Sequence, residues 1–125
     1  MPALPEKVST DWDKRKGPVV FTTVAQDGTP NSIWVGCVEK YDEERLIVAD
    51  NYFQKTRQNI KDRSKGALLW ITEDGTSYQV KGSIEYMTEG PMFERMKECT
   101  SEKLPRVAAA VLHVEEVYSG AEKLA

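Results

Sequence analysis

Asp50-Asn-Tyr-Phe-Gln-Lys-Thr-Arg-Gln-Asn-Ile60 is the stretch on which the reading of this chain turns. It follows a short apolar run, Leu46-Ile-Val-Ala49, which reads as a strand. It then opens an amphipathic helix, with Phe53, Thr56 and Ile60 at i, i+3 and i+7. The spacing predicts a helix over residues 52–63. Asp50 or Asn51 suits its N-cap, since either side chain accepts a hydrogen bond from the first free N–H groups. Lys55 and Thr56 then fall in the first turn. Free backbone N–H groups, an ammonium and a hydroxyl together make a phosphate-binding corner. The plain alternative is an ordinary capped helix with a solvated Lys. No Gly-rich run precedes the Lys-Thr pair, so this is not a Walker loop.

A chain of 125 residues is expected to form one domain spanning 1–125, large enough to bury its own core. The formal net charge of −3 comes without a Lys/Arg stripe, which argues against nucleic acid as a partner. The longest apolar run, Val107-Ala-Ala-Ala-Val-Leu112, is too short to span a bilayer. The N-terminus has no signal-type apolar segment, so a cytoplasmic location is expected, with Cys37 and Cys99 as reduced thiols.

Working outward, Pro18 to Ala25 is β-branched and reads as a first strand. Gln26-Asp-Gly-Thr29 is a hairpin turn, and Asn31 to Lys40 a second strand. Tyr41 to Arg45 turns into the Leu46–Ala49 strand. Beyond the helix come strands at Gly66–Thr72 and Ser77–Met87, separated by Glu73-Asp-Gly75. A helix follows from Met92 to about Ser101, then a last strand from Arg106 to Tyr118. A short frayed helix over 6–16 leads the chain. The fold class is therefore mainly β: a six-stranded antiparallel split barrel, Greek-key-like, with two or three short helices.

The last strand is apolar on both faces. Val107, Ala109 and Val111 point one way, and Ala108, Ala110, Leu112 and Val114 the other. A barrel interior buries only one of these faces. A second subunit is the expected cover for the other, the alternative being the chain's own helix.

The order of these features resembles the pyridoxamine 5′-phosphate oxidase-like family with the FMN-binding split-barrel fold, and within it the short stand-alone FMN-binding proteins. The likeness runs from about residue 15 to 118. It rests on the Asp-Gly turn, Ser32-Ile33-Trp34, Asp50-Asn51, the Lys55-Thr56 helix, Ser77-Tyr-Gln-Val-Lys-Gly82 and Gly90-Pro91 with Phe93. The resemblance implies a homodimer with non-covalent FMN at its interface. Lys55 and Thr56 would take the phosphate. Ser32, Ile33 and Trp34 would offer backbone groups to the pyrimidine edge. Asp50 and Asn51 would line the flavin and ribityl chain, and Gln79, on one face with Ser77, would reach the other subunit's flavin. Trp70 borders the flavin or fills core. Arg57 or Arg63 supplies a second cation near the phosphate or lies on the helix's solvated face.

Other chemistries lack residues. His113 is the single histidine, and no His/Cys cluster offers a metal ligand set. No catalytic side chain can be named. The expected function is that of an FMN-binding redox protein, serving in electron transfer or as a flavin-dependent reductase. The alternatives are an oxidase of the pyridoxamine-phosphate type and a non-catalytic flavin-binding or storage module. The oxidase is disfavoured because no Arg-x-His element stands near Tyr118 and the residues after it.

Overall fold

The computed structural model describes residues 2–125. Helix α1 (Glu6–Asp11) and a 3-10 turn (Trp12–Lys14) lead into β1 (Val19–Val24) and β2 (Pro30–Val35). Next come β3 (Val38–Asp42), β4 (Arg45–Asp50), α2 (Lys55–Lys61), β5 (Gly66–Ile71) and β6 (Ser77–Met87). Helix α3 (Pro91–Glu98), β7 (Ala108–Ser119) and the short β8 (Glu122–Lys123) complete the chain. Both expected Asp-Gly turns close hairpins, with Gly28 at φ 89° and Gly75 at φ 87°, a region that L side chains avoid.

One antiparallel sheet runs β2-β1-β5-β6-β7-β4-β3, and β8 adds to β7. It curls around a core as a half-barrel. Its two end strands, β2 and β3, do not pair, so the barrel is split between them. The class is the expected one, but the described residues form eight strands rather than six. The single strand expected over Asn31–Lys40 is broken at Gly36-Cys37. Up to Val35 the chain pairs with β1, and from Val38 it pairs with β4. At the break the Cys37 carbonyl accepts the Ala49 N–H at 2.9 Å. Apolar residues continue through this switch of partner, so composition does not mark it.

The main core lies inside the curl, where Val19, Phe21, Leu68, Tyr78, Val80 and Leu112 meet. Each such side chain, fully buried, contributes about 1.5–3 kcal/mol. A second core lies on the other face of β7. There Ile47, Ala109 and Val111 pack with Met96 of α3, flanked by Met92 and Phe93. This corrects the expectation drawn from the two-faced strand. Helix α3 of the same chain covers the second face, and Ala110 is buried in the main core. The apolarity of β7 therefore does not call for a second subunit.

Where β6 crosses β7 the register shifts between Lys81 and Gly82. A Cβ placed on Gly82 would lie 1.7 Å from the His113 carbonyl oxygen, so only glycine fits this bulge.

Candidate functional site

Two connected clefts, each about 260 Å³, open at the split in the barrel. The first lies between the end of β2 and the end of β4, against Trp34, Cys37, Ala49 and Asn51. The second lies between β2 and the start of α2, against Asn31, Ser32, Lys55 and Thr56. Ile33, Tyr52 and Phe53 border both. Strand β2 is a sheet edge. Along its free side, backbone N–H and C=O groups have no strand partner and face outward for hydrogen bonding.

The loop between β4 and α2 shapes both clefts, and Asp50 anchors it. Asp50 is completely buried. Its carboxylate accepts the Phe53 N–H at 3.0 Å, Arg57 Nε and Nη2 at 2.7 and 2.9 Å, and the Tyr86 hydroxyl at 2.5 Å. One side chain thus ties the end of β4 to the loop, to α2 and to β6. The bond to Asp50 holds the Arg57 guanidinium above its ordinary pKa. Burial first, and then the Asp50 carboxylate, push the Tyr86 phenol up to about 12.

The helix starts later than the sequence suggests. It runs Lys55–Lys61 behind Gln54, with no side-chain cap. Neither Asp50 nor Asn51 caps it. Asp50 is spent on Arg57 and Tyr86, and the Asn51 Oδ1 accepts the Arg106 N–H at 3.0 Å. Lys55 still stands at the first turn and makes no ion pair among the described residues. Thr56 is buried, and its Oγ1 accepts from Asn31 Nδ2 at 3.0 Å, which leaves its own O–H to donate.

Of the residues singled out in the sequence, the structure brings Ser32, Ile33, Trp34, Asn51, Lys55 and Thr56 to the clefts. Trp34 is 71% exposed, so it is not core. Asp50 stands behind the cleft wall as its anchor. Gln79 is elsewhere. It pairs with Leu69 on β5 and Tyr118 on β7, on the outer face of the sheet. Trp70 is core, edge-on to Trp12 with centroids 4.8 Å apart. Arg57 faces Asp50 rather than the cleft. The sequence reading missed Asn31, Tyr52 and Cys37. Asn31 adjoins the Ser32-Ile33-Trp34 triplet, which was the available signal.

Residues 7–120 match the family model described as pyridoxamine 5′-phosphate oxidase. The chain belongs to the pyridoxamine 5′-phosphate oxidase family. An uncharacterised protein of Methanocaldococcus jannaschii is 30% identical over 106 residues, covering 81% of this chain and 71% of that one. Among solved structures, Group A Streptococcus HupZ superposes with a TM-score of 0.83 at 22% identity, covering 98% of each chain. An FMN-binding protein from Syntrophomonas wolfei superposes at 0.79 with 20% identity, covering 96% of this chain and 87% of that one. Those two likenesses establish the shared fold. In this pyridoxamine 5′-phosphate oxidase family member, the split of the barrel is where the free edge of β2, the loop 51–54 and the unpaired Lys55 converge.

Proposed function

We propose that the chain binds FMN in the paired clefts and works as a redox protein, exchanging electrons through the bound flavin. The observation that carries this reading is the alignment of Lys55 with the free edge of β2 along one continuous groove. A planar ring with alternating donors and acceptors suits an edge strand. A dianionic phosphate suits Lys55, the Thr56 hydroxyl and the uncapped first turn of α2. Further support comes from the family match and from a neighbour of the same fold named as FMN-binding.

Bound FMN supplies one- and two-electron chemistry, while the protein binds and orients it. Ser32, Ile33 and Trp34 would hold the ring edge through their backbone, and Tyr52 and Phe53 would line the chain between ring and phosphate. The walls of the two clefts carry Lys55 as their charged side chain and, among the described residues, no histidine or carboxylate.

The flavin site is completed by a second copy of the chain. Trp34, Val20, Leu69 and Gln79 are cross-strand neighbours in one row on the outer face of the sheet. Trp34 and Leu69 are exposed there at 71% and 40%. Gln79 lies three strand spacings from Trp34, about 14 Å. It is too far to serve its own chain's cleft and well placed to reach a partner's.

An absorption spectrum of the purified protein, with mass analysis of the ligand it releases, tests the reading. Bound FMN is expected, with reduction by dithionite and reoxidation by an artificial acceptor. Pyridoxamine phosphate in air should yield no pyridoxal phosphate. Aldehyde formation at about 1 s⁻¹ or faster would make the protein an oxidase instead.

A further inference from the structure

A third cleft, of about 430 Å³, lies beyond the phosphate corner, between the β1–β2 turn and the outer side of α2. Asn31 and Lys55 line both it and the second cleft, so the groove does not end at Lys55. Ala25, Thr29 and Pro30 form one wall, and Gln58 and Asn59 the other. The Lys55 ammonium stands at the junction with no carboxylate on it. No Asp or Glu lines the third cleft. Two acids stand behind its walls: Asp62, just past the end of α2, accepts from the Gln58 amide at 3.1 and 3.2 Å, and the Asp27 carboxylate accepts the Thr29 N–H at 3.0 Å.

A mononucleotide ends at its phosphate and has nothing to place in this cleft. We infer that the third cleft receives a polar group carried on the cofactor phosphate, so that the protein accepts a flavin dinucleotide as well as FMN. The inference rests on the flavin reading above and adds the ligand class for the far end of the same groove. A phosphodiester keeps negative charge at Lys55. The group beyond it meets Thr29, Pro30 and the amide oxygens of Asn31 and Gln58, whose amide nitrogens are held by Thr56 and Asp62. Lys55, at the junction of the two clefts, is the cation that offsets the charge of a second phosphate.

Titration of ligand-free protein with riboflavin, FMN and FAD, read by quenching of flavin fluorescence, tests this. FAD is expected to bind within tenfold of FMN. Gln58→Trp fills the third cleft from an exposed helical position. It should weaken FAD at least fivefold more than it weakens FMN. Thr29→Tyr, from the opposite wall, should do the same, which guards against a local fault in the helix. FAD binding more than tenfold weaker than FMN, or variants that change both ligands alike, would overturn the inference while leaving FMN binding intact. Failure to bind any of the three flavins would remove the underlying reading as well.

Discussion

A single guanidinium holds both oxygens of the Asp50 carboxylate: Arg57 Nε meets Oδ2 at 2.7 Å and Nη2 meets Oδ1 at 2.9 Å. The two residues are seven apart, one ending β4 and the other inside α2. Their pairing fixes the loop that forms the floor of both clefts. Charge and bidentate geometry make the contact directional, and burial of Asp50 makes it costly to break.

Removing the cation leaves a buried carboxylate with two neutral donors. Arg57→Ala should lower unfolding free energy by about 3–5 kcal/mol. Lys61→Ala, on the exposed side of the same helix, should stay within about 0.5 kcal/mol. Urea denaturation measures both. A loss below about 1 kcal/mol for Arg57→Ala would show that the pair does not anchor the loop.

Tyr86 gives the same network a pH signature. Its folded pKa, near 12, lies above the ordinary value of 10. The folded state therefore holds the phenolic proton more tightly than the unfolded state. The associated stability is fully present below pH 10 and is lost as pH rises toward 12. The difference in stability between wild type and Tyr86→Phe should shrink across that window. A constant difference from pH 9 to 12 would place the phenol outside the Asp50 network.

The parts of the structure legible in the sequence were those with local causes. Both Asp-Gly hairpins, the β-branched strands and Pro91 at the start of α3 follow from short-range chemistry. The break at Gly36-Cys37 was not legible, because Cys37 and Val38 carry the apolar run across a change of pairing partner. The start of α2 was misread for a related reason. Asp50 looks like a cap, but Arg57 and Tyr86 compete for it through contacts that only the folded chain creates. Lys55 and Thr56 were legible because their position depends on one turn of helix. Gln79 was placed from the family resemblance alone, since no local chemistry marks a residue that acts across sheet edges.

Gly82 should be intolerant of any side chain. A methyl group there meets backbone, which cannot swing aside. Gly82→Ala should cost more than about 3 kcal/mol, above the usual range for overpacking. A melting temperature within a few degrees of wild type would mean that the β6–β7 bulge relaxes freely.

The outer sheet face should carry self-association. Leu69→Glu changes an exposed position on that face and leaves the core alone. Sedimentation should find wild type dimeric and the variant monomeric, folded and with weakened FMN binding. A wild-type monomer that binds FMN tightly would contradict the shared site.

The most direct test of the account compares FMN with riboflavin on Lys55→Ala. The two ligands differ by the phosphate alone, and a charge-assisted contact is worth roughly 1.5–3 kcal/mol. FMN affinity should fall by about ten- to a hundredfold, with riboflavin affinity changed less than about twofold. Equal losses for both ligands, or no loss for FMN, would contradict the placement of the phosphate at Lys55.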